Sequence, residues 1–197
     1  MSWLKRIFGQ ADASTPGGSP VTRRITVKNP LNIQSPRIGF FNLLGSVGQP
    51  LLDTDKAALG PLFTGVEEST TAPPVCSVLL IYASIDSTGS IAGSEYGLRE
   101  IIRRSHAPIV IVASENDLKA YMLSAKRTGY GQANLVLTFQ RRGEHFAHFF
   151  VELFTRMSRG VTMPVAWVQL APQIPGAAQE NSPGTLFLAE ISHIVFS

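Results

Sequence analysis

The sequence predicts a three-layer α/β domain, a mostly parallel sheet with helices on both faces. Two patterns carry this. Apolar runs of strand length, residues 78–83 (VLLIYA) and 109–113 (IVIVA), show no alternation and are bounded by loop residues, as strands covered on both faces are. Between and after them lie segments with apolar residues three and four apart, so strand and helix alternate along the chain. Hydrophobic residues make up 44% of the 197 and charged residues only 16%, enough apolar surface for one core and too much for a disordered chain.

Residues 1–20 read as a basic amphipathic start plus a flexible linker, and residues 21–197 as a single α/β domain. Trp3, Leu4, Ile7 and Phe8 share one face of a short helix, with Lys5 and Arg6 beside them. That pattern suits a partner's groove or, weakly, an anionic membrane surface. Residues 10–20 (QADASTPGGSP) have no means of packing. Residues 21–27 (VTRRITV) read as a β-segment closed by Asn29 and Pro30, and residues 36–44 (PRIGFFNLL) as a second, ending at Gly45. A helix is expected around residues 55–59, then a loop through Pro73 and Pro74.

Residues 75–83 (VCSVLLIYA) are the clearest strand, followed by a Ser/Gly-rich loop over residues 84–93 (SIDSTGSIAG). Ser94 can cap the next helix, with Glu95 against its positive end and Leu98, Ile101 and Ile102 as the buried stripe. Residues 108–114 form another strand. Ser114 with Asp117 resembles a capping box opening a helix to about residue 126. A loop over residues 128–131 leads into a strand at residues 134–139. Phe146, Phe149, Phe150, Leu153, Phe154 and Met157 define one helical face, which Gly160 ends. Residues 164–170 (PVAWVQL) read as a further strand, and residues 185–196 as one or two closing strands.

The net charge of +3 hides an asymmetry. Six cations against Asp12 give the first 37 residues +5, so the body after them carries −2. A nucleic-acid binder concentrates Lys and Arg on the body, so nucleic acid is not the expected partner. One cysteine, Cys76, excludes an internal disulfide and a zinc site of several thiolates, and its place in a buried strand makes it core. Glu144, His148 and Glu152 share a helix face opposite the apolar stripe, without the H-E-x-x-H pattern, and read as solvated residues. No metal and no cofactor is expected. The start lacks the apolar stretch of a signal peptide, and no run of eighteen apolar residues exists, so the expected location is cytoplasmic.

Parallel sheets bind in the crevice beyond the carboxyl ends of their strands. That directs attention to Leu44, Gly45, Ser84, Asp86, Ser87, Gly89 and Glu115. The loop after residue 83 offers hydroxyls, a carboxylate and glycines, but no G-x-G-x-x-G, no Walker lysine and no G-x-S-x-G elbow. None of His106, His145, His148 and His193 falls at a strand's carboxyl end near Ser84. Three functions follow: contact with a protein partner or a second copy, a hydrolase or transferase using Ser84 or Asp86 with Glu115, and a nucleotide or phosphate site held by loop N–H groups.

The order of segments also resembles the CHAT domain, a caspase-like cysteine peptidase. Residues 79–89 followed by Gly93, Ser94, Glu95, Tyr96, Gly97, Leu98 and Arg99 resemble its strand ending in Ala-Cys, its short loop and its helix. Residues 40–45 (FFNLLG) resemble the strand whose final His-Gly supplies the catalytic histidine, and residues 164–167 (PVAW) its late Pro-x-x-Trp strand. The resemblance implies a caspase-like topology, with Ser84 in place of the nucleophilic cysteine and Leu44 in place of the histidine. Leucine cannot accept a proton or stabilise a thiolate, so it also implies lost peptidase chemistry and a binding or regulatory role.

Overall fold

The computed structural model describes residues 30–119, 133–171, 182–191 and 193–197. Its strands are β1 Leu31–Ile33, β2 Arg37–Asn42, β3 Gly65–Ser69, β4 Val78–Tyr82, β5 Ile109–Val112, β6 Asn134–Gln140, β7 Gly184–Leu188 and β8 Ile194–Phe196. Its helices are α1 Gln49–Leu59, α2 Leu98–Ser105, α3 Glu144–Ser158 and α4 Met163–Leu170. Six strands form one sheet in the order β3-β2-β4-β5-β6-β7, and β1 pairs with β8 in a separate two-stranded sheet. The first five strands of the large sheet are parallel, and β7 closes its edge antiparallel to β6.

Alternate residues of the buried strands face opposite layers, which is why these segments carry no polar face. Ile38, Phe40, Leu80, Ile111 and Val136 pack under α1, α3 and α4 in one core. Phe41, Leu79, Ile81, Val110 and Leu135 pack with Leu98, Ile101 and Ile102 of α2 in the other. The predicted three layers are present. The phenylalanine face of α3 is buried as its spacing requires, and Phe63, Phe154 and Phe196 join it to the β1-β8 sheet through ring contacts of 5.3 to 5.9 Å.

Chain direction across the sheet fixes where a site can lie. From β2 the chain steps to one side, through α1 to β3. It then returns past β2 to β4 and continues away through α2 to β5. The two crossover helices lie on opposite faces. Strand order thus reverses between β2 and β4, and the crevice at such a switch point lies beyond their carboxyl ends.

Several expected elements are corrected. Residues 164–170 are not a strand but the helix α4. Pro164 sits in its first turn, where its missing N–H costs no bond. Met163 and Ala166 are buried while Val165 and Val168 are 46% and 67% exposed, so burial recurs at helical spacing and not every second residue. The helix expected around residues 55–59 begins earlier, at Gln49, with Pro50 in its first turn. The loop expected before Pro73 contains β3, a short edge strand whose exposed Glu67 and Glu68 masked it. β1 lies between the segments expected at residues 21–27 and 36–44, where no element is predicted.

Ser94 does not cap α2, whose N-cap is Gly97 with no side-chain bond; the Ser94 hydroxyl accepts the Tyr96 N–H instead. Ser114 meets the end of β4. Its hydroxyl lies 2.9 Å from the Ala83 nitrogen and 2.6 Å from the Ala83 oxygen, while Asp117 accepts the Lys119 N–H. The β-segment at residues 21–27, the helix beyond residue 119, the loop at residues 128–131 and the contact residues Trp3, Leu4, Lys5, Arg6, Ile7 and Phe8 lie outside the described residues. Among the described residues no helix is long and apolar enough to cross a membrane.

Candidate functional site at the carboxyl rim of the sheet

β2 and β4 end side by side. Asn42 pairs with Tyr82 in register, and the Leu43 N–H donates to the Tyr82 carbonyl at 2.8 Å. Two residues further along each strand stand Leu44 and Ser84, so the switch point delivers both to one rim. Asn42, buried, shapes the first exit. Its amide donates to the Gly45 carbonyl at 2.9 Å and to Gln49 at 3.2 Å, and its oxygen accepts the Leu44 N–H at 3.0 Å. Gly45 takes a φ of 58°, which lets the chain fold back into α1.

β5 and its exit clasp the end of β4. Besides the Ser114 bonds, the Asn116 oxygen accepts the Ile85 N–H at 2.7 Å and its amide donates to the Ala83 carbonyl at 2.9 Å. Ile85 and Ile91 bridge and bury their side chains in the α2 core. Between them Asp86 organises the loop: one carboxylate oxygen accepts the Thr88 N–H at 2.8 Å, the Thr88 hydroxyl at 2.6 Å and the Ser90 N–H at 3.1 Å. The Thr88 hydroxyl bond, with these amides, holds the Asp86 carboxyl below the usual carboxylate range. Gly89, buried with a φ of 85°, donates to the Asp86 carbonyl and accepts the Leu98 N–H. The loop is a fixed platform with Ser84, Ser87, Thr88 and Ser90 exposed.

Beneath the rim lies a charged cluster that the sequence reading did not name. Asp55 on α1 is 0% exposed and Arg141, just beyond β6, is 5% exposed. Arg141 donates to Asp55 at 2.7 Å and to the Ala113 carbonyl at 2.6 Å, and its guanidinium lies 3.8 Å from the Phe146 ring centre. The Tyr82 hydroxyl donates to the other Asp55 oxygen at 2.8 Å. Burial pushes the Asp55 carboxyl up, and the Arg141 and Tyr82 bonds pull it back. The cluster ties the exits of β4, β5 and β6 to α1. Its sequence signal is the position of Asp55 between Leu52 and Leu59 on the buried stripe of α1. Arg141 carries no comparable signal.

The predicted site residues divide between two cavities. Leu44 and Glu115 meet, with Leu51, Thr54, Ser114, Arg141, Gly143 and Glu144, around a cavity of about 580 Å³. Ser84 and Asp86 line a shallower one of about 230 Å³ with Ile85, Ser90, Ile91 and Ala92. Neither lining contains a histidine. Asp86 and Glu115 border different cavities, so the structure does not bring the Ser84/Asp86 loop and Glu115 into one lining. The N–H groups of Thr88, Gly89 and Ser90 are spent on Asp86, which fills the place an anion would take.

An aromatic hollow of about 400 Å³ between Phe139, Phe149, Trp167 and Pro183 lies beside β7 and contains none of the predicted residues. Cys76 is buried and burial pushes its thiol up to about 12, the opposite of an activated nucleophile. No group of three or more His, Cys, Asp or Glu suited to a metal ion occurs among the described residues. Compared with known protein families and with curated proteins, the chain matches none.

Proposed function

We propose that the protein is a non-catalytic α/β interaction module, a caspase-like framework of CHAT type whose carboxyl rim binds a protein partner or a second copy. One observation carries this reading. Leu44 and Ser84 stand at the ends of adjacent parallel strands at the switch point, where a base and a nucleophile would be needed; leucine cannot take a proton, and no histidine lines the cavity at either position. The surrounding geometry suits contact. The platform over residues 84–93 is preorganised by its own bonds, so little ordering entropy is lost on binding. Val47, 77% exposed, adds apolar surface beside Leu44. A reducing, cytoplasmic setting agrees with a single buried thiol.

The late Pro-x-x-Trp segment is helical here, so the kinship rests on the strands before it. Two observations weigh against the other readings: the N–H groups of residues 88–90 are occupied by Asp86, and the cavity at Ser84 is lined by no histidine. The test is site-specific photo-crosslinking in the native host. A photoreactive residue at Ser87 should trap one defined protein species, which the same residue at His106, at the opposite end of the sheet, does not. Equal patterns from both positions would remove the rim as the contact surface.

A further inference from the structure

The hollow beside β7 shares no lining residue with either rim cavity, and its volume of about 400 Å³ is that of a small-molecule site. Its walls are rings. Trp167 on α4 is fixed by two neighbours, stacked on Phe187 with ring centres 4.8 Å apart and in T-shaped contact with Phe149 at 5.0 Å. A bulge in β6 adds a third ring. Thr138 pairs with Thr185 and Gln140 with Gly184, so Phe139 is the extra residue between them. Half-buried, Phe139 belongs to neither core. Its ring lies over Gly184, where a Cβ would come within 2.5 Å of it.

The charge of the hollow is Arg142, half-buried in its lining. Its backbone takes a φ of 57° where the chain leaves β6 for α3, a conformation that costs a residue with a side chain and recurs at ligand sites. Nε and Nη2 donate to the Gln140 oxygen at 3.2 and 3.1 Å. Among the described residues no carboxylate pairs with Arg142, and Nη1 has no acceptor. Aromatic walls alone would suit a cation as well as a ring. The guanidinium excludes the cation and, with no carboxylate in the lining, sets the sign for an anion.

We propose that this hollow binds a small aromatic anion, a planar ring system bearing a carboxylate or phosphate. The ring packs against Phe139, Phe149 and Trp167, and the anionic group meets the open donors of Arg142. The inference goes beyond the proposed function and rests on neither the rim nor the caspase-like kinship.

The test uses the full chain with Trp3→Phe, which leaves Trp167 as the sole indole. Naphthoate, titrated to millimolar concentration, should bind once per chain and shift the Trp167 indole N–H resonance. The neutral isostere naphthamide should bind about tenfold more weakly, because a hydrogen bond to a charged group is roughly twice as strong as a neutral one. Arg142→Gln should weaken naphthoate by a similar factor and leave naphthamide unchanged, and Arg142→Lys should restore part of the preference. Naphthyl phosphate separates the two headgroups, the tighter ligand naming the one the hollow takes. The inference is overturned if naphthoate leaves the Trp167 resonance in place, or if acid and amide bind equally, a comparison that needs no change in the hollow. It is also overturned if Arg142→Gln, its free indole resonance unmoved, binds naphthoate as the parent does. Photo-crosslinking from position 87 reads the rim and not this hollow, so failure here leaves the proposed function to its own test.

Discussion

Without the Arg141 guanidinium, Asp55 would be a fully buried carboxylate held by a single tyrosine hydroxyl. Breaking a buried pair on one side costs about 3–5 kcal/mol, most of it the stranded charge. Arg141→Met should lower the urea midpoint accordingly, and Asp55→Asn should cost less in the Arg141→Met background than alone. Equal costs would mean the two side chains are not coupled. Two buried groups at opposite ends of β4 set an alkaline limit. Burial raises the Cys76 thiol from its ordinary 9.0 to about 12, and burial beside Asp55 raises the Tyr82 phenol well above 10.0. The unfolded chain releases these protons first, so their contribution is complete below pH 9.0 and shrinks as pH climbs toward 12. Urea melts between pH 8 and 11, roughly, should show this fall, and Cys76→Ala with Tyr82→Phe should flatten it. At this scale the sequence is only half legible. Asp55 can be seen on an apolar stripe, but its partner lies 86 residues away and no local pattern points to it.

Among elements, the long buried strands and the phenylalanine helix were legible because their burial pattern is written in consecutive side chains. α4 was not, because a short apolar run has the same composition as a strand and only the exposure of Val165 and Val168 separates them. β3 was hidden for the opposite reason, an edge strand being polar enough to read as loop. The loop over residues 84–93 lies where the sequence places it, and Asp86 is its internal organiser, a role the sequence did not reveal. Asp86→Ala should therefore speed amide exchange at Thr88 and Ser90 strongly, while Ser87→Ala leaves it unchanged. Unaltered exchange in Asp86→Ala would mean that the strand ends, and not the carboxylate, hold the loop.

Across the whole molecule, topology does what no motif does. The reversal of strand order between β2 and β4 opens a crevice at the carboxyl rim, and the basic leader is set apart in sequence from a nearly neutral body. The layers and the rim followed from alternation of strand and helix. The division of the rim into two cavities and the clasp by Ser114 and Asn116 did not, because they depend on which strands are neighbours. The reading of the rim as a surface for contact stands or falls on whether Ser84 is a nucleophile. Treating the native protein with a fluorophosphonate and mapping the adduct by mass spectrometry measures this directly. The account predicts that Ser84 reacts no faster in the native protein than in the urea-unfolded chain; stoichiometric labelling of Ser84 that disappears on unfolding would contradict it.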